Sequence, residues 1–324
     1  MRQNFLSIFT TLFFSAVLST SATAQSWDLP TGYAPTNFHT LNIERFASAV
    51  GKATDGKLVI KVHPGASLYK MPEIKRAVQT GQVPIGETLM VTLSNENPLF
   101  AIDGMPFFAS SYALAEKLWR IQRPYIDKLL TEQGLKLLFA VPWPPQGLMV
   151  NKEVNSISDL AGLSFRAYDR QTSRLAELFK ARPITIQAAE VAQAMSTGKI
   201  NSLIASAQSA VDYKAWESIK YFYDIQAWLP KNMVIVNQAE FSALNPSTQK
   251  ALIKAGQDAE TAGWQSSKEV SERTKKILQE NGMIVLTPSQ ELVNGLNELG
   301  KVMLAEWLAK AGTQSTTVVE SFRK

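Results

Sequence analysis

Arg166 is the side chain in this sequence whose type and setting best suit the capture of an anion. Leu163-Ser164-Phe165-Arg166-Ala167 alternates as a strand does, and it leaves a turn, Ser158-Asp159-Leu160-Ala161-Gly162, with a polar start and a Gly stop. A strand that delivers a guanidinium at its carboxyl end sets a rigid two-donor fork where α/β proteins bind ligands. On spacing alone, a surface or interdomain salt bridge is the commoner use of an arginine. Other chemistry is scarce. There is no cysteine, and the two histidines are His39 and His63, which leaves no His-rich or thiolate metal site. Neither a G-x-S-x-G elbow, an H-E-x-x-H helix nor a dinucleotide fingerprint occurs, so an exported hydrolase is the weaker alternative. Gly51 to Lys57 imitates a phosphate-binding loop, but Leu58 stands where a hydroxyl is needed, and the segment leads from helix into strand.

The elements that must position Arg166 read as a β-α-β chain. Trp27 to Pro30 opens extended, a helix carries Leu41, Ile43, Phe46 and Val50, and Lys57 to Val62 alternates as a strand. A helix with Ile74, Ala77 and Val78 leads to Ile85-Gly86-Glu87, where Pro84 implies an edge or strand-start position. Leu114, Leu118, Ile121, Tyr125 and Leu129 form a core stripe on a helix that Pro124 kinks or divides. Gly134 to Val141 is a buried strand, and Pro142, Pro144 and Pro145 stiffen the connection through Trp143 to Gln146. Beyond Arg166 come a helix, an extended Arg182 to Ile186, a second helix, and a strand ending at Ala205-Ser206. Two strand-like runs flank Leu229 to Asn232. Asn245-Pro246-Ser247 then starts a long helix, followed by a short strand and two closing helices.

Met1 to Asn4 carries one positive charge, Phe5 to Leu18 is apolar, and Ala22-Thr23-Ala24 offers a small-x-small cleavage site, so residues 1–24 read as a secretory signal peptide. Ser7, Thr10, Thr11 and Ser15 interrupt the run, which a membrane span of roughly twenty apolar residues does not tolerate. An exported chain without disulfides rests on its own core, and about 300 residues provide one large domain or two moderate ones. The net charge of +5 includes Arg2 and is scattered rather than clustered, which points away from nucleic acid and suits the collection of small anions.

Asp159-Leu160-x-Gly162-Leu163-x-x-Arg166, preceded by Val150-Asn151-Lys152 and Ile157, resembles the signature of the DctP-type solute-binding proteins of tripartite ATP-independent periplasmic (TRAP) transporters. The resemblance extends through the Pro64-Gly65 loop, the strand ending at Gly86, Pro106-Phe107, Glu190-Val191 and the Gly198 turn, with Pro84 and Asn201 as departures. It implies a two-domain α/β periplasmic-binding-protein-like fold with a hinge, a central cleft and a long helix across both domains. One domain would hold 25–142 plus 231–270, the other 143–230 plus 271–324. The implied protein is a periplasmic monomer, not an enzyme and without cofactor. It passes a small-molecule carboxylate to TRAP membrane permease subunits; a sensor-only binding domain is the alternative. In the family, the arginine at this place grips the ligand carboxylate.

Family members that bind acidic sugars have a second arginine twenty positions earlier; here that position is Gln146. A neutral amide cannot neutralise a second carboxylate, so one cationic fork implies one carboxylate. Trp143, Phe38, Tyr213 and Trp216 are candidate aromatic walls, although an aromatic is individually more often core than pocket, and Ser206 and Glu87 are candidate polar contacts. The expected ligand is therefore a monocarboxylate, a 2-hydroxy or 2-oxo acid with an apolar or aromatic tail.

Overall fold

The strands are β1 (Gln25–Pro30), β2 (Leu58–His63), β3 (Ile85–Leu89), β4 (Leu135–Pro142), β5 (Gln146–Val150), β6 (Ser164–Ala167), β7 (Arg182–Thr185), β8 (Ser202–Ser206), β9 (Tyr221–Tyr223), β10 (Lys231–Asn237) and β11 (Ile284–Leu286). The helices are α1 (Phe38–Ala53), α2 (Met71–Gln79), α3 (Tyr112–Glu132), α4 (Arg170–Leu178), α5 (Val191–Ser196), α6 (Ala207–Asp212), α7 (Gln238–Ala243), α8 (Pro246–Glu280), α9 (Gln290–Leu308) and α10 (Gly312–Arg323). They come from a computed structural model that describes residues 24–324. The export-signal segment lies, but for Ala24, outside the described residues. Among those described, no helix is long and apolar enough to cross a membrane.

In the first lobe β1 pairs parallel with β2, and β10 lies antiparallel between β3 and β4. β4 and β10 are buried almost throughout because helices cover them, which is why both read as nearly unbroken apolar runs. The second lobe is a six-stranded mixed sheet in the order β11-β9-β5-β8-β6-β7. Pro84 precedes β3, an edge strand, so its missing N–H interrupts no ladder.

α8 starts where Asn245 caps it, its side chain accepting from the Thr248 N–H, with Pro246 at the first helical position. Its 35 residues span about 50 Å. Leu252, Ala259, Trp264 and Val270 enter the first-lobe core, and Leu278 enters the core behind the second sheet.

Three expectations change. α3 runs unbroken through Pro124, and its buried line is Ala115, Leu118, Trp119, Gln122, Ile126 and Leu130, about one residue around the helix from the stripe read in sequence; Leu114 is exposed. Gln122 can sit inside because its amide donates to the Leu99 carbonyl at 2.8 Å. The carboxyl-terminal stretch also divides. α9 gives Leu292, Leu296 and Met303 to the second-lobe core, whereas α10 returns Val318, Val319 and Phe322 to the first, with the Phe322 ring 4.6 Å from that of Phe108. Lastly, the run from Tyr221 to Trp228 is strand only through Tyr223.

The chain passes between lobes at Trp143 to Gln146 and returns at Trp228 to Lys231. The two crossings are bonded to each other: Trp143 N–H donates to the Pro230 carbonyl at 2.8 Å and Gln146 N–H to that of Trp228 at 3.0 Å. A paired, proline-stiffened double crossing allows bending but little sliding.

Candidate functional site

The turn before β6 is built by Asp159, whose carboxylate accepts from the backbone N–H groups of Asn155 and Ser156, each at 2.9 Å. These bonds hold its pKa below the usual carboxylate value. Gly162 then takes φ +75°, a conformation that favours glycine, and β6 leaves in register between β7 and β8, with Arg166 opposite Ile184 and Leu203. Arg166 is 5% exposed. Its Nε donates to the Ile186 carbonyl at 2.9 Å, and the guanidinium lies 4.7 Å from the centre of the Tyr168 ring. Among the described residues it enters no ion pair. The salt-bridge reading therefore has no partner here, and the side chain presents a nearly buried positive charge to a cavity.

That cavity is small, about 50 Å³, and has walls from both lobes. Tyr33, Met71, Leu89 and Trp143 form one side; Gln146, Arg166, Tyr168, Ser209 and Tyr213 form the other. It adjoins a wider hollow of about 510 Å³ with which it shares Thr92, Tyr168 and Gln187. Burial raises the phenols of Tyr168 and Tyr213 above their usual range, so both remain neutral hydrogen-bonding groups. A larger groove of about 560 Å³ runs between Pro98, Arg170, Arg174, Met303 and Trp307. Its Arg174 is paired with Glu306 at 2.7 Å and Glu177 at 3.0 Å, and its Arg170 and Lys310 are exposed to solvent, whereas the Arg166 guanidinium at the smaller cavity is both nearly buried and without an ion-pair partner among the described residues.

The residues singled out in sequence do not all meet at this cavity. Arg166, Gln146, Trp143 and Tyr213 line it. Gln146 is held by its Nε2, which donates to the Pro144 carbonyl at 2.8 Å, leaving Oε1 as a free acceptor. Ser206, fully buried, caps α6 by accepting from the Ser209 N–H at 3.1 Å, and it is Ser209 that reaches the wall. Phe38 stands behind, edge-on to Trp143 at 5.5 Å. Glu87 also stands behind, accepting from the Thr31 hydroxyl with its Oε1 3.5 Å from His39 Nδ1. Burial pushes the Glu87 carboxyl up to about 7 and lowers His39 well below its usual value. Trp216 is not at the cavity but packs on the core behind the second sheet, because the turn after α6 carries it away from the cleft.

Sequence reasoning passed over Tyr33, Tyr168 and Asp212. For Tyr168 a signal existed, since it directly follows β6 and continues its alternation two residues beyond Arg166. Asp212 joins the lobes: Asn37 Nδ2 donates to its Oδ2 and Gln208 Nε2 to its Oδ1, both at 2.6 Å, and burial raises its carboxyl to about 6. No group of three or more His, Asp or Glu among the described residues is placed to hold a metal ion.

Residues 31–310 match the DctP family, described as bacterial extracellular solute-binding protein, family 7. Among solved structures, DctP6 of Bordetella pertussis, an extracytoplasmic solute receptor binding pyroglutamic acid, is 47% identical, with a TM-score of 0.91 over 92% of this chain and 99% of that one. DctP7 of the same organism, also binding pyroglutamic acid, is 41% identical, with a TM-score of 0.92 over 93% and 100%. A marine-metagenome TRAP solute-binding protein from an unidentified microbe, specific for pyroglutamate, is 38% identical, with a TM-score of 0.90 over 93% and 99%.

Proposed function

From the premise that the chain belongs to the DctP family of bacterial extracellular solute-binding proteins, and so is a TRAP solute receptor rather than an enzyme, we propose that it captures pyroglutamate or a closely similar cyclic monocarboxylate. One observation carries the reading: a nearly buried guanidinium without a counter-ion faces a cavity with walls from both lobes. Arg166 receives the carboxylate on its two terminal nitrogens, Nε being engaged by Ile186. Gln146 Oε1, left free, accepts the N–H of a lactam. Tyr33, Trp143 and Leu89 cover the ring methylenes. The three relatives named above bind this acid, which supports the choice. The expectation of a 2-hydroxy or 2-oxo acid with an apolar or aromatic tail gives way to a lactam acid, which is neither; the single carboxylate is the part of that expectation that this reading keeps. The reading includes export by a signal peptide cleaved near Gln25, a monomeric receptor in the periplasm, and delivery to TRAP permease subunits.

Calorimetric titration of purified protein tests it. L-pyroglutamate should bind more tightly than 5-oxotetrahydrofuran-2-carboxylate, the lactone in which a ring oxygen replaces the N–H, and far more tightly than succinate or malate, whose second charge would be buried unpaired. Arg166→Ala should weaken binding by about 2–5 kcal/mol, and Arg166→Lys nearly as much, since an ammonium does not reproduce the paired bonds of a guanidinium. Tighter binding of a dicarboxylate, or unchanged affinity in Arg166→Ala, overturns the reading. Uptake by the protein together with its permease in vesicles separates transport from sensing.

A further inference from the structure

The two first-lobe aromatics of the cavity wall turn their polar ends away from the ligand space and toward one atom. Trp143 Nε1 donates to Asn232 Oδ1 at 3.0 Å, and the Tyr33 hydroxyl donates to the same oxygen at 3.2 Å. An indole N–H only donates, so it must meet an oxygen, and this fixes which way the amide lies. The rings meet edge to face with centroids 4.9 Å apart, and the His39 ring lies 4.6 Å from Trp143 on the other side.

Asn232 is suited to hold them. It is 2% exposed and sits on β10, paired on one side with Leu89, itself a wall residue, and on the other with Val141, two residues before Trp143. Neither neighbour leaves its backbone room to shift. Its buried Nδ2 makes no hydrogen bond of ordinary length, but the amide lies near enough to the Glu87 carboxyl to be among the groups that pull it back down against burial. Its acceptor, by contrast, carries two bonds, both to residues that line the ligand space.

We propose that Asn232 is a positioning residue for the ligand cavity: one carboxamide oxygen fixes the indole of Trp143 and the phenol of Tyr33 in the orientation that covers the bound acid. The proposal rests on the cavity being the ligand site, as argued above, and it concerns a residue that does not line that cavity. Without the oxygen, both rings lose their shared anchor and the wall is no longer formed in advance, so binding must order it.

The test has one arm that needs no ligand. Protein labelled with 5-fluorotryptophan gives resonances from seven tryptophans, and the one lost in Trp143→Phe is Trp143. Asn232→Leu, near-isosteric but without the acceptor, should shift or broaden that line in the ligand-free protein while leaving those of Trp216 and Trp264 in place. In the second arm, the affinity for L-pyroglutamate should fall about tenfold or more in Asn232→Leu, yet less than about threefold when Asn232→Leu is added to Tyr33→Phe/Trp143→Phe, because the partners it acts through are gone. Should Asn232→Leu not fold, Tyr33→Phe, which frees half of the acceptor, moves the Trp143 line by itself. An unmoved Trp143 line, or equal losses in both backgrounds, overturns the proposal. If the wild-type protein does not bind L-pyroglutamate, the choice of ligand fails, and the fluorine spectra alone decide the role of Asn232.

Discussion

Glu87→Gln probes the electrostatics behind the aromatic wall. In the folded protein the Glu87 carboxyl is raised by burial to about 7 from an ordinary 4.5, with Thr31 and Asn232 pulling the other way. The folded state therefore keeps its proton at a pH where the unfolded chain has lost it. Stability must fall as pH rises from about 4.5 to about 7, and the whole loss is in place above that. A gap of about 2.5 units at about 1.4 kcal/mol each gives on the order of 3 kcal/mol. Glutamine keeps the shape, accepts the Thr31 hydroxyl through Oε1 and places its amide toward His39 Nδ1, which burial keeps neutral and able to accept. The variant should match wild type near pH 4.5 and exceed it at about pH 8 by up to about 3 kcal/mol, several degrees in Tm at about 2 °C per kcal/mol. Calorimetric melting of ligand-free protein at three pH values reads this directly. Asp169 and Asp212, each raised to about 6, tilt both curves equally and drop out of the comparison. Parallel curves, or a variant less stable at the higher pH, would refute the reasoning.

Three further outcomes are expected. Lys231, fully buried, has Nζ 3.5 Å from Asp103 Oδ2 at the end of the return crossing, so Lys231→Met should destabilise by about 3–5 kcal/mol in urea melts, and adding Asp103→Asn, which removes the lone charge but keeps an acceptor for the Lys231 N–H, should recover most of it. Gly147→Ala would place a Cβ 2.2 Å from the Phe222 ring beneath β5, and should lower stability by on the order of 1–3 kcal/mol by the same measurement. Trp216→Phe should leave acid affinity unchanged in calorimetry, since the side chain packs on the core behind the second sheet.

What the sequence disclosed is what short-range chemistry decides. The capping carboxylate of Asp159, the left-handed Gly162 and the alternation of β6 all lie between Asp159 and Ala167, so the placing of Arg166 was legible. So were the start at Asn245 and the long helix that follows it. Packing between distant segments left weaker traces. In α3 the apolar residues lie on more than one face, and only the neighbours of Trp119 and Gln122 decide which goes inward. α10 returns to the first lobe because Phe108 and α3 offer it an apolar face, and no local pattern announces that. Among the site residues, Trp216 was misplaced because α6 ends at Asp212 and the turn after it carries the indole behind the sheet. Asn232 was silent because its meaning lies in partners 89 and 199 positions away.

If Arg166 takes the acid as proposed, the same long-range placement makes capture and lobe closure one equilibrium. Arg166 and Gln146 stand on the second lobe, Trp143 and Tyr33 on the first side of the crossings, so an acid that satisfies the guanidinium also fills the space between the lobes. The crossings are tied by the bonds from Trp143 to Pro230 and from Gln146 to Trp228, which sets the line about which the lobes turn. Away from those crossings, Asn37 donates to Asp212 across the cleft, a contact that exists only when α1 and α6 approach. A ligand that binds only the approached arrangement shifts the population toward it by its full differential affinity, and needs no other device. On the proposed reading the unpaired charge of Arg166 supplies that difference, because a guanidinium cut off from water as the lobes approach needs an anion in the water's place.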